Sequence, residues 1–246
     1  MKHKNMEQLT NKIVEWLQEN VKSANATGVV VGNSGGVDSA VVLALAKKAF
    51  PENTLGVVMP CYSNPTDKED ALLLAEKLNI QTEIVDLSST YDELIKNVKY
   101  VDEAPELALA NIKPRLRMTV LYYYAQTLKR VVIGTSNKSE VTVGYFTKYG
   151  DGGSDLLPLG DMTKFEVWEL AKYLKIPDKI VNKPPTAGIM GSKSDEEEMG
   201  FTYEELEKYL KSQEDELTSE VLEKIKKLHK GSAHKRNLPP SFSMDF

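Results

Sequence analysis

Cysteine is nearly absent: Cys61 stands alone among 246 residues. One thiol can form neither an internal disulfide nor a multi-cysteine metal site, which points to a reducing cytoplasm. Arginine is scarce against a background of lysine, with Arg115, Arg117, Arg130 and Arg236 making up the set. Excess positive charge is missing too: 31 Lys and Arg face 36 Asp and Glu, a formal net charge of -5. Gripping a nucleic-acid backbone needs clustered excess Lys and Arg, so no nucleic acid is expected as a partner. No apolar run nears the roughly 18 residues of a membrane helix; the longest, about 29–46, is interrupted by Asp38, and no membrane partner is expected. The N-terminus lacks a signal-type apolar core, so no export is predicted. What is present is ordinary for a globular protein, 41% hydrophobic and 27% charged, long enough for one large domain or two small ones around a sizeable core.

Met6, Leu9, Ile13, Trp16, Leu17 and Val21 recur at helical spacing and predict an opening amphipathic helix. Four short β-branched runs follow, at 28–32, 54–59, 81–86 and 131–134, separated by helical patterns at 37–50, 67–78, a stretch up to 100, and 106–127. That alternation predicts parallel βαβ units: an α/β fold with one open parallel sheet and helices on both faces. Beyond 134 the pattern changes to a Gly-, Asp- and Pro-rich loop over 144–162, helices at 163–174, 202–212 and 216–229, and a polar loop over 182–200. Loops of that length inside a domain are commonly functional. The acidic run Asp195-Glu196-Glu197-Glu198 also reads as a simple solvated face.

The segment Gly32-Asn33-Ser34-Gly35-Gly36-Val37-Asp38-Ser39 joins the first buried strand to the first helix of the sheet. Ligands of open parallel sheets bind beyond the carboxyl ends of strands. A helix N-terminus offers free N–H groups and partial positive charge to phosphate. Ser34 and Ser39 add hydroxyls, and Gly35 and Gly36 allow close approach. The segment lacks both the Gly-Lys-Ser/Thr ending of a Walker A loop and a GxGxxG. Asp38, an anion beside a phosphate site, implies Mg²⁺ between carboxylate and polyphosphate; its plainer reading is a first-turn residue on the helix dipole.

With SGGVDS at this junction the chain resembles the ATP pyrophosphatases, which adenylate a substrate and release pyrophosphate. Four further segments narrow the resemblance: NIKPRLRM at 111–118, GTSNKSE at 134–140, GYFTKYGDGGSD at 144–155, and His234-Lys235-Arg236. Together they are similar, along almost the whole chain, to ammonia-dependent NAD synthetases. The resemblance implies one Rossmann-like domain over residues 1–246, of the adenine nucleotide alpha-hydrolase-like kind. It implies a two-step amidation: deamido-NAD attacks the α-phosphate of ATP, then ammonia displaces AMP to give NAD. Carried over by motif position, Gly32 to Ser39, Thr135, Lys164 and Thr186 would meet ATP. Asp38, Glu140 and Thr186 would hold Mg²⁺. Arg115, Lys148, Asp155, His234 and Lys235 would bind deamido-NAD. Lys164 and Lys148 would serve the chemistry. Asp151 would take a proton from ammonium, although a bare GDGG turn accounts for it equally well.

Two positions depart from the pattern. Pro114 stands where members often carry Ala, which should bend or start the helix there. Lys193 stands where Gln is usual. The resemblance also implies a homodimer, and the helix around 118–128 fits either an interface or an internal core. Because the resemblance uses nearly all 246 residues and Cys61 lies in MPCYSNP, no glutaminase domain is expected and free ammonia is the expected nitrogen source.

Overall fold

The computed structural model describes residues 3–100, 102–185, 194–242 and 244. It begins with helix α1 (His3–Ser23), whose Met6, Ile13, Leu17 and Val21 form the buried stripe that their spacing predicts. Four strands follow: β1 (Val29–Gly32), β2 (Thr54–Val58), β3 (Gln81–Ile84) and β4 (Val131–Ile133). Helix α2 (Val37–Ala49) follows β1, and α3 (Pro65–Leu78) follows β2. Helices α4 (Ser88–Asn97), α5 (Glu106–Ala110) and α6 (Ile112–Leu128) lie between β3 and β4. After β4 the described chain is helical: α7 (Lys138–Val143), α8 (Lys164–Tyr173), α9 (Asp178–Val181), α10 (Asp195–Met199), α11 (Tyr203–Leu210), a 3₁₀ turn (Glu214–Glu216), α12 (Ser219–Gly231) and α13 (Ala233–Arg236).

The strands are all parallel, in the order β3-β2-β1-β4. The chain therefore builds outward from β1 in one direction and then returns to its other side. The carboxyl ends of β1 and β4 flank the switch point where open α/β sheets bind ligands. Strand alternation sorts the core into two layers. Val29, Val31, Val131 and Ile133 pack with α1, α2, α8 and α9, whereas Val30, Leu55, Val57 and Val132 pack with Leu87 and the inner side of α6. Helices thus cover both faces, as the alternating pattern predicts. A third cluster joins Val143 of α7 to Met199, Phe201, Tyr203, Leu206 and Ile225. Among the described residues no helix is long and apolar enough to cross a membrane.

Three expectations on elements need correction. The helical stretch over 106–127 divides at Asn111, whose side-chain oxygen accepts the Thr147 hydroxyl at 2.6 Å. Helix α6 restarts one residue later with Pro114 in its first turn, where a missing N–H costs nothing. The preceding stretch toward residue 100 ends at Asn97. The loop over 182–200 holds α10, whose N-terminus is set by a Ser194–Glu197 capping box.

Candidate active site

The loop after β1 is held by its own polar side chains. Asn33 donates from Nδ2 to the Ala71 carbonyl of α3 at 2.8 Å and accepts the Gly35 N–H at 3.3 Å. Ser39 donates its hydroxyl to the Gly36 carbonyl at 3.0 Å, and its oxygen lies 3.0 Å from Ser34 Oγ. Gly35 has φ +75°, and a Cβ there would lie 2.3 Å from the Asp67 carbonyl oxygen, so glycine is required on both counts. Gly36 is the N-cap of α2 and gives no side-chain cap. The first N–H groups of this largely buried helix therefore remain available to an anion.

A second strand-end loop meets the first. After β4, Asn137 and Glu140 form a capping box that starts α7. The Asn137 side chain also reaches across to donate to Asp38 Oδ1 at 2.8 Å. Lys164, only 2% exposed, opens α8 behind a Thr163–Glu166 capping box, and its backbone N–H bonds Ser139 Oγ at 3.1 Å. Its Nζ lies 2.6 Å from Asp38 Oδ2 and 3.3 Å from Glu140 Oε1, with the Tyr203 ring 5.2 Å away. Burial pulls the Lys164 ammonium down, but Asp38 and Glu140 outweigh it and hold the group above its ordinary value. Burial, and then the Asp38 charge, push the Glu140 carboxyl up against the pull of Lys164. Two carboxylates from different helices thus converge on one buried cation at the mouth of the loop after β1.

Around this point lies a cavity of about 980 Å³, lined by the loop, Thr135, Glu140, Lys164, Asp151 and Lys235 as well as Arg117 and Lys183. Asp151 accepts the Thr147 N–H at 2.8 Å. Its surroundings, chiefly through desolvation, hold its carboxyl above the usual carboxylate range. Lys235 donates to the Gly144 and Phe146 carbonyls at 2.7 Å each. Gly144 has φ +69°, and a Cβ there would collide with Ser232 at 2.1 Å, so the C-terminal turn seats directly on this loop.

The remaining expected residues gather elsewhere. Arg115 donates through Nε and Nη2 to the Lys148 carbonyl at 3.4 Å, and Lys148 donates from Nζ to the His234 carbonyl. Arg115 and His234 are exposed and Lys148 is half-buried; none of the three is on the cavity wall. Asp155 sits at the outer edge of β4, accepting the Val132 N–H at 2.7 Å and the Tyr122 hydroxyl at 2.9 Å. Thr186 and Lys193 lie outside the described residues.

Sequence reasoning missed several neighbours. The acidic run over 195–198 is not merely a solvated face. Asp195 is buried and accepts the Tyr203 hydroxyl at 2.9 Å, and Glu198 accepts the Tyr145 hydroxyl at 2.6 Å. Lys183 bridges Asp67 at 2.7 Å and buried Asp70 at 2.8 Å, which ties the chain just before residue 186 to the helix supporting Gly35. The Asn137–Glu140 capping box was legible as an Asn-x-x-Glu signature; the others carry no local signal.

As oxygen donors, Asp38 and Glu140 suit a hard divalent cation. Their convergence on Lys164 shows that both reach one positive charge, and Mg²⁺ with phosphate oxygens fits that donor set. Among the described residues no group of three or more His, Cys, Asp or Glu could hold a metal ion unaided.

The family model described as NAD synthase matches residues 9–239. A curated NH(3)-dependent NAD(+) synthetase from Carboxydothermus hydrogenoformans is 51% identical over 237 residues, covering 96% of this chain and 97% of its own. Among solved structures, an NMN synthetase from Francisella tularensis aligns with a TM-score of 0.91 and 38% identity, covering 98% of this chain and 99% of that one. An NH3-dependent NAD synthetase from Campylobacter jejuni aligns at 0.83 and 33%, covering 99% and 100%. With the family model spanning nearly the whole sequence and a relative sharing half its residues, this chain belongs to the NAD synthase family.

Proposed function

We propose that this chain is an amidating ligase that converts deamido-NAD to NAD with ATP and free ammonia, releasing AMP and pyrophosphate. The observation that carries this reading is the convergence of Asp38 and Glu140 on buried Lys164 beside the open N-terminus of α2. In this reading the loop from Gly32 to Ser39 holds the ATP phosphates, and Thr135 and Thr186 would contact ATP. The N–H groups of 34–36 bond the loop's own side chains and brace it, whereas those of 37–39 make no such bond. Asp38, Glu140 and Thr186 would hold Mg²⁺, which would supply positive charge to the polyphosphate. The nicotinate carboxylate attacks the α-phosphate, and Lys164 stabilises the charge that builds on the departing pyrophosphate. Arg115, Lys148, Asp155, His234 and Lys235 hold the dinucleotide, Lys148 next to the activated carboxylate. Asp151, with its raised proton affinity, takes a proton from ammonium, and the ammonia so formed attacks the acyl carbon and expels AMP. The reading includes a cytoplasmic homodimer. Helix α6 supports the dimer by turning Tyr123 64% to solvent.

A second reading has a specific support, the likeness to an NMN synthetase at 38% identity: the acceptor is the nicotinate mononucleotide. It shares the chemistry and differs only in the length of substrate held. One assay separates the readings. AMP and pyrophosphate formation is followed with Mg²⁺, ammonium and either deamido-NAD or nicotinate mononucleotide. Deamido-NAD should be used with the higher kcat/KM, and Asp38→Asn should nearly abolish AMP release. Absence of AMP with either acceptor, or full activity in Asp38→Asn, would remove the proposal.

A further inference from the structure

Three cations of the cavity, Lys164, Lys183 and Arg117, differ in what balances them, and Lys235 beside them hydrogen-bonds only carbonyls. Lys164 has Asp38 and Glu140; Lys183 has Asp67 and Asp70. Arg117 lies on the same wall with only neutral partners among the described residues. It projects from the second turn of α6. Its Nε donates to the Met59 carbonyl at 3.0 Å, and its Nη2 to Ser63 Oγ at 3.1 Å. Desolvation holds its guanidinium below the ordinary value against the weaker pull of Cys61, Asp151 and Asp67, and among the described residues no carboxylate bonds it.

The other arginines are differently placed. Arg115 is exposed, and Arg236 is spent on the carbonyls of Val141, Thr142 and His229 and on Ser232 Oγ. Arg130 is not on the cavity wall. The two bonds of Arg117 fix the plane of its fork and leave Nη1 without a hydrogen-bond partner among the described residues. The Met59 that anchors it also lies against Gly32, where the phosphate loop begins: a Cβ at Gly32 would lie 3.5 Å from Met59 Cε. A guanidinium fixed in plane on the cavity wall, with Nη1 unbonded and no ion pair among the described residues, is built to take an oxyanion.

We propose that Arg117 is a further substrate-binding residue, whose guanidinium takes an anionic oxygen group, phosphate or carboxylate, of a nucleotide bound in the cavity. This rests on the ligase reading above and adds a residue to it. Binding of ATP alone and of deamido-NAD alone is measured for wild type, Arg117→Gln and Arg117→Lys. Loss of the charge-assisted contact should weaken one nucleotide by about tenfold or more in the Gln variant and by clearly less in the Lys variant. Which nucleotide suffers identifies the source of the anion. Unchanged affinity for both, or equal losses in both with Lys no better than Gln, makes Arg117 a brace for the Met59 turn and overturns the proposal.

A wild-type measurement covers variants that fail to fold. With four arginines in the chain, side-chain Nε–H NMR signals are few and can be assigned by single Arg→Lys changes. The Arg117 signal should shift on saturation with ATP or deamido-NAD. An unmoved signal in a wild-type protein that binds and turns over both removes this proposal alone, whereas a wild type that binds neither nucleotide removes the ligase reading and this proposal with it.

Discussion

The charges around Lys164 and those around Arg115 are held in opposite ways. Lys164 is buried between two carboxylates, its backbone fixed by one capping box and its Glu140 partner by another. Arg115, Lys148 and His234 are linked through main-chain carbonyls, with Arg115 and His234 open to solvent. The first arrangement is paired within the protein: two carboxylates share one ammonium before any substrate arrives, so in the proposed reading its geometry is preorganised. The second leaves its positive charges without acidic partners among the described residues, as suits groups whose counter-charge comes with a substrate. Burial accordingly marks where the chemistry is fixed, and exposure marks where recognition can adapt.

The contrast is broken most directly at Lys164. Lys164→Met should leave two partly buried carboxylates facing each other without their shared cation and cost about 3 kcal/mol of stability, read as a fall in the urea midpoint. Arg115→Ala should leave stability within about 0.5 kcal/mol, while raising KM for deamido-NAD roughly tenfold and leaving KM for ATP unchanged. If the two substitutions destabilise the protein alike, the distinction between a fixed and an adaptable region fails.

The smallest effect is expected at Asp70, where the fixed arrangement recurs away from the chemistry. Burial would raise this carboxyl, but Lys179 and Lys183 outweigh burial and hold it below the ordinary aspartate value. The unfolded chain therefore binds the proton more tightly. Its contribution is fully present above the unfolded value of about 3.9 and is lost as pH falls through the lower folded value. Asp70→Asn should lower stability by on the order of 1 kcal/mol at pH 7 and flatten the acid limb. Denaturant midpoints between pH 3 and 7 check both.

Several parts of this site were legible before any coordinates. SGGVDS and GTSNKSE each follow a β-branched run, and each is found at a strand end, because local patterning dictates strand, turn and cap together. Pro114 was expected to bend or start a helix, and it lies in the first turn of α6. Other features were hidden because they span long separations. Tyr203 closes over Lys164 from 39 positions away, and Lys183 reaches Asp67 across 116. The solvated-face reading of 195–198 holds for exposed Glu197 and Glu198 and fails at buried Asp195, because acidity in a row says nothing of which member turns inward; Asp195 does so where the Tyr203 hydroxyl meets it.

By itself, the sequence determined the parallel α/β plan, the two strand-end loops and the residue types available for phosphate chemistry, since periodicity, capping and turn residues act over a few positions. Tertiary structure alone decided which charges are paired. The sheet order β3-β2-β1-β4 brings β1 and β4 side by side, so Asp38 and Glu140, a hundred residues apart, share one lysine. The same packing leaves Arg117 with neutral partners, because a charge is balanced by what lies within a few ångströms in space and not by what precedes it in the chain.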